Sequence, residues 1–143
     1  MNDHTPDTAS RESARVVTAF WDAMQTSDFY AAAGLLAPDY TLEWPQSGER
    51  IRGPANFAAI NTHYPAAGRW QFTVQRLIAQ GSDVVTDVTV TDGVILARAI
   101  TFSTVRAGLI TRQVEYWPDP FEAPAWRVAR VERMGLPDDE SSQ

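Results

Sequence analysis

DVVTDVTVTDGVILARAITFSTV, residues 83–105, decides the fold. Both arms are rich in Val, Ile and Thr, and Asp92-Gly93 stands between them as a turn in which glycine accepts positive φ. That is the pattern of an antiparallel hairpin. A two-residue turn there sets Thr91 opposite Val94, Thr89 opposite Leu96, Asp87 opposite Arg98 and Val85 opposite Ile100. Ala107-Gly108 closes the next hairpin, setting Phe102 opposite Gln113, Ile100 opposite Glu115 and Arg98 opposite Trp117. Opposed residues share a face. One face then collects Val85, Asp87, Leu96, Arg98, Ile100, Phe102, Gln113, Glu115 and Trp117. The other collects Val84, Val88, Val90, Ile95, Ala97, Ala99, Val114 and Tyr116.

Working outward, strands are expected at Trp70–Gln80, Asp83–Thr91, Val94–Val105 and Leu109–Trp117, with a further extended piece at Trp126–Val131. Arg76-Leu-Ile breaks the alternation of the first of these and points to a bulge. Upstream the period changes. Val17, Phe20, Trp21 and Met24 lie on one face of a helix over Arg11–Gln25, with Ser10 as its cap. A second helix fits Asp28–Ala37, stopped by Pro38, and Tyr40–Trp44 reads as a short edge strand stopped by Pro45. Gly53-Pro54 opens a third helix that buries Phe57 and Ile60 and ends near Tyr64-Pro65. Three helices followed by an antiparallel meander make an α+β domain over residues 11–135, with flexible tails at 1–10 and 136–143.

Both sheet faces are too apolar to be freely wet, and three short helices cover only one of them. The helices and a cavity are therefore expected over the face with the embedded charges. The smooth face is expected to pack on a second copy, giving a homodimer through the outer side of the sheet.

Composition narrows the function classes. The 143 residues carry a formal net charge of −6, 12 Lys/Arg against 18 Asp/Glu, with no basic cluster to hold nucleic-acid phosphates. There is no cysteine and only two histidines, His4 and His63, so disulfides, thiolate nucleophiles and multi-histidine metal sites are not expected. No apolar run reaches the roughly 20 residues that span a bilayer, and MNDHTPDTAS lacks the apolar core of a signal peptide. The reading is a cytoplasmic domain with no metal, cofactor, nucleic-acid or membrane partner. His63 is expected at a helix end, and Glu49 and Arg50 on a rim loop.

YTLEWP after the second helix, RGPANF opening the third and VRAGLITRQVEYWPDP closing the sheet resemble, in order and spacing, the nuclear transport factor 2-like superfamily. Within it the chain is most similar to the SnoaL-like polyketide cyclase and ketosteroid isomerase branch over residues 12–132. The resemblance implies a cone-shaped α+β barrel, three helices on a curved, mostly antiparallel sheet, with a cavity between them. It also implies that the isomerase base falls on Trp44, the oxyanion-binding tyrosine on Phe20 and the protonated aspartate on Ile100, none of which supplies that chemistry. A pocket tryptophan is shared at Trp117. Limonene-epoxide hydrolases of this fold use an Asp–Arg–Asp set, but two residues beyond Arg98 stands Ile100 rather than an acid.

The remaining inward polar groups are Asp87, Arg98 and Glu115, with one guanidinium between two carboxylates. The less well paired acid, Glu115, is expected to have a raised pKa and to move protons, with Asp87 and Arg98 completing the catalytic set. Phe20, Met24, Trp44, Asn61, Ile100, Phe102 and Trp117 are the expected pocket lining for a small apolar or aromatic molecule. The leading reading is a small-molecule enzyme acting on a lipophilic, ring-containing substrate by cofactor-independent acid–base chemistry, as a cyclase, isomerase or hydrolase-like catalyst. The alternative is a non-catalytic binding or accessory protein that uses the same pocket.

Overall fold

The computed structural model describes residues 7–135; of the tails expected at 1–10 and 136–143, residues 1–6 and 136–143 lie outside the described residues, while Thr8–Ser10 are helical rather than tail. The first helix, α1 (Thr8–Gln25), starts three residues earlier than the sequence predicts. Asp7, not Ser10, caps it, its Oδ1 accepting from the Ser10 N–H at 2.7 Å. Ser10 is instead buried, and its Oγ accepts from the Gly81 N–H at 2.8 Å, tying the helix start to a turn of the sheet. Val17, Phe20, Trp21 and Met24 all bury as their spacing requires.

The short α2 (Phe29–Ala33) is capped by Asp28 and ends at Gly34 rather than continuing to Ala37. The chain instead turns extended as β1 (Leu36–Trp44), because Leu36 and Ala37 bury against the sheet. Pro38, which has no N–H to give, falls within the irregular register between Leu36 and Thr41. β1 is internal to the sheet, not an edge. The edge is β2 (Glu49–Arg52), formed from residues that read as a loop and paired antiparallel with Trp44 opposite Glu49. Gly53, at φ 86°, leads into α3 (Pro54–His63), which buries Phe57 and Ala58 while Ile60 stays largely outside.

Four strands complete the sheet: β3 (Gln71–Gln80), β4 (Asp83–Thr91), β5 (Leu96–Arg106) and β6 (Leu109–Tyr116). The order is β2-β1-β6-β5-β4-β3, with β1 parallel to β6 and every other pair antiparallel. The result is a curved, mostly antiparallel six-stranded sheet, curled but not closed, in an α+β fold. α1 lies over β3, β4 and β5, and α3 lies against β1 and β2. The bulge expected in β3 is present, where the register slips between Val74 and Arg76. The piece at Trp126–Val131 is a 3-10 helix, Ala125–Arg130, rather than a strand, and Trp126 is 81% exposed. No helix among the described residues is long and apolar enough to cross a membrane.

Two local features change the expected register, and one of them changes the faces. The first is the loop after β4. Buried Asp92 accepts from the Val94 and Ile95 N–H groups at 2.9 and 2.8 Å and, through its other oxygen, from the Ala67 N–H at 2.8 Å. This side-chain-built turn spans residues 92–95, so Thr91 pairs with Leu96 and Asp87 with Ile100. A shift of two residues preserves the faces. The second feature does not. Arg106 faces Leu109 across the Ala107-Gly108 turn as expected, but Val105 pairs with Ile110 and Thr104 with Arg112, leaving Thr111 as an extra residue. Beyond this bulge Phe102 pairs with Val114, Ser103 with Gln113 and Thr101 with Glu115.

A one-residue slip exchanges the faces. Gln113 and Glu115 therefore share the helix-covered concave face with Thr86, Val88, Ala99 and Thr101, residues predicted as the smooth outer side or left unassigned. Asp87, Arg98, Ile100 and Phe102 lie on the convex face. The small side chains at Ala99, Thr101 and Ser103, all buried, leave room for the helices and for a hollow.

Candidate functional site

A cavity of about 450 Å³ opens between the helices and the concave face. α1 contributes Phe20, Trp21 and Met24 to its wall, and α3 with the segment after it contributes Phe57, Asn61 and Tyr64. The sheet supplies Leu42, Trp44, Phe72, Val90, Gln113 and Glu115, while Trp70 and Trp117 close the sides. The rings are braced against one another. Phe20 meets Trp21 edge-on at 5.1 Å between centroids, and Tyr64 meets Trp70 edge-on at 6.1 Å. Trp21 is fixed further by donation from Nε1 to Thr86 Oγ1 at 3.2 Å.

Past Glu115 lies a buried polar relay. The Tyr40 hydroxyl donates to Gln113 Oε1 at 2.5 Å, and Gln113 Nε2 donates to Ser103 Oγ at 3.1 Å. Burial pushes the Tyr40 phenol well up, and the Glu115 charge pushes the same way.

Glu115 is the carboxylate buried in this cavity. Trp44 Nε1 donates to its Oε1 at 3.0 Å, and Thr101 Oγ1 donates to its Oε2 at 2.7 Å. No ion pair to it occurs among the described residues. Desolvation raises its pKa, and the bonds from Thr101, Trp44 and Trp117 oppose that rise without cancelling it. Gln46, in the turn between β1 and β2, fixes the backbone of Trp117. Its side-chain amide accepts from the Trp117 N–H and donates to the Trp117 carbonyl, the latter at 3.2 Å, clasping the two strand ends together.

Asp87 and Arg98 are not brought to this cavity. On the convex face Arg98 Nε and Nη2 grip Asp87 Oδ1 and Oδ2 at 2.7 and 2.5 Å, with more than half of the arginine side chain in solvent. The Arg98 bonds hold the Asp87 carboxyl below its ordinary range, opposite in direction to Glu115. Their expected inward placement is corrected by the Thr111 bulge. Ile100 and Phe102 are corrected for the same reason: Phe102 is 45% exposed and meets Tyr116 edge-on outside. Of the other expected lining residues, Phe20, Met24, Trp44, Asn61 and Trp117 stand in the cavity wall. The inward neighbour on β5 is Thr101. Nothing in the sequence singles out Thr101 or Gln46, whereas Trp70 belongs to the set of aromatic residues expected to line a pocket together and does line it. Among the described residues no group of three His, Cys, Asp or Glu side chains is arranged to hold a metal ion.

Comparison with known proteins agrees with this geometry. Residues 17–113 match the family model of the SnoaL-like domain. A Kribbella flavida crystal structure labelled as a ketosteroid isomerase is 33% identical, with TM-score 0.83, over 91% of this chain and 95% of that one. An NTF2-like protein of unknown function from Burkholderia xenovorans is 30% identical, with TM-score 0.74, over 90% and 100%. A Mycobacterium tuberculosis protein described as a limonene-epoxide-hydrolase-like epoxide hydrolase is 26% identical, with TM-score 0.64, over 76% and 84%. No curated protein matches. With the family model spanning most of the chain and the whole architecture shared, this chain belongs to the SnoaL-like domain family.

Proposed function

We propose that this protein is a small-molecule enzyme that moves a proton on a lipophilic, ring-containing substrate without metal or cofactor, with Glu115 as the proton-handling group. One observation carries the reading: a buried carboxylate without a cationic partner among the described residues faces an aromatic hollow, and burial holds its pKa above the ordinary glutamate value. Such a group takes and returns protons nearer neutrality than a solvated glutamate does. Trp44, Thr101 and Trp117 orient it, and of the four lone pairs on its two oxygens one remains for a substrate proton. Asp87 and Arg98, across the sheet, are left out of this chemistry. The labels on structural relatives, isomerase and epoxide hydrolase, are consistent with acid–base work in a dry pocket.

We also propose a homodimer through the convex face. Ile78, Leu96, Phe102 and Tyr116 expose apolar surface there, framed by the ion pairs Asp87–Arg98 and Glu43–Arg50.

The catalytic reading is tested by solvent-deuterium exchange into the α-carbon of cyclic ketone probes such as 2-tetralone, followed by NMR. The wild-type protein accelerates exchange, with a rising pH limb above the ordinary glutamate range. Glu115→Gln loses about 10²- to 10⁴-fold. Equal rates in the two proteins would remove Glu115 from the chemistry. A probe that binds and is recovered unexchanged supports the non-catalytic binding protein instead.

A further inference from the structure

The cavity has a one-sided charge. Glu115 sits in its wall and Glu49 and Asp119 at its mouth, while among the described residues no Lys, Arg or His lines it. The other partly buried acids of the sheet have a positive partner supplied by the chain: Arg98 for Asp87, and Arg50 and Arg112 for Glu43. Among the described residues Glu115 has none, yet it is the most deeply buried of the three. The indoles of Trp21, Trp44, Trp70 and Trp117 line the same cavity, Trp44 and Trp117 bonding to Glu115 itself, and an indole ring face carries negative potential. A neutral hydrocarbon gains contact area from these walls and nothing from the carboxylates. An anion is repelled by them. An organic cation gains from both, since ring faces attract it by cation–π interaction and Glu115 supplies the opposite charge in a water-poor space.

We propose that the cavity takes a lipophilic organic ammonium, with the cationic head beside Trp44, Trp117 and Glu115 and the hydrocarbon body against Phe20, Met24 and Phe72. The volume of about 450 Å³ holds a substituted ammonium together with one ring. This rests on the acid–base reading above in that it names the substrate class of the same site. An entering cation also restores the charged form of the glutamate, so the substrate itself readies the base.

The test uses the full chain and two probes of nearly one shape, benzyltrimethylammonium and its neutral carbon isostere neopentylbenzene, with 3-phenylpropionate as the anion. Tryptophan fluorescence reports binding, because four of the five tryptophans line the cavity. The cation binds the wild type about tenfold or more tighter than the isostere, and the anion binds weakest. In Glu115→Gln the preference falls to about threefold or less. Neutral or anionic probes binding as tightly as the cation, an unchanged preference in Glu115→Gln, or no binding of the cation at millimolar concentration each overturn the proposal. The wild-type series decides alone if the variant does not fold. Lost cation preference with Glu115-dependent exchange intact sinks this inference and leaves the acid–base reading. Cation preference without exchange does the reverse.

Discussion

The two faces of one sheet treat their acids in opposite ways. On the convex side Asp87 lies under the fork of Arg98, and Glu43 accepts from Arg50 and Arg112 at 3.0 and 2.8 Å, so both carboxyls sit below their ordinary range. On the concave side Glu115 has two indoles and a hydroxyl but no cation among the described residues, and its carboxyl sits above that range. The residues are chemically alike and only one sheet thickness apart. The difference lies in desolvation against pairing, and it separates an acid that fastens strands from one available for proton transfer.

The largest effect comes from exchanging the environments of neighbouring positions. Val88 points into the concave side and is fully buried, while Thr89, next along β4, lies on the convex side opposite Arg98. Val88→Asp places an unpaired acid in the core and costs about 3–5 kcal/mol in urea unfolding. Thr89→Asp gains Arg98 as a neighbour and stays within about 1 kcal/mol of wild type. Equal losses would mean that the faces are misassigned.

The next effect concerns what covers the convex side. Phe102→Asp puts a charge in the centre of the proposed dimer contact while leaving the cavity alone. Sedimentation equilibrium then shows dimerisation weakened by at least about thirtyfold, roughly 2 kcal/mol. A wild-type protein that is monomeric at high concentration removes the dimer.

Glu115→Gln gives a smaller effect whose sign depends on pH. A carboxyl whose pKa is raised by folding contributes stability that is fully present below its unfolded value, near 4.3, and lost as pH rises through the higher folded value. The glutamine variant has no such loss. It therefore melts a few degrees above wild type at pH 8, and the advantage shrinks toward pH 4. A variant less stable than wild type by the same margin at both pH values would show that the carboxylate is held by its hydrogen bonds rather than penalised by burial.

Much of this architecture was legible because it follows local rules. The stripe Val17, Phe20, Trp21, Met24 gave α1, Gly53-Pro54 gave the start of α3, and β4 lies where alternation put it. What failed was parity. Alternation fixes a face only if the two sides differ, and here Val84, Val88, Val90 and Ala99 on one side stand against Val85, Leu96, Ile100 and Phe102 on the other, so both sides read as apolar. The deciding residue, Thr111, looks like any strand threonine. Nothing in LITRQVEY marks the extra residue that turns Gln113 and Glu115 inward. Asp92-Gly93 likewise carries the signature of a two-residue turn, and only the capture of three N–H groups by Asp92 makes it a four-residue loop. Glu115 was legible as the candidate acid of the pocket, and it does line the cavity, although the argument for it leaned on Arg98, which faces the other way.

The smallest effect is the sharpest check on that last point. Arg98→Met removes the cation from an exposed pair, and such pairs contribute about 0.2–1 kcal/mol because water and salt already screen them. Folding joins the Asp87 carboxyl to Arg98 and lowers its pKa, so the stabilisation is present above the ordinary aspartate range and is lost as pH falls through it. The variant is therefore about 0.5 kcal/mol less stable than wild type at pH 7, and the gap closes near pH 3 and in molar salt. Ligand affinity and Glu115-dependent exchange do not change, because the whole sheet lies between Arg98 and the cavity. A large fall in turnover with the fold intact would return Arg98 to the active site, and with it the reading that a guanidinium rather than the ligand balances the buried acid.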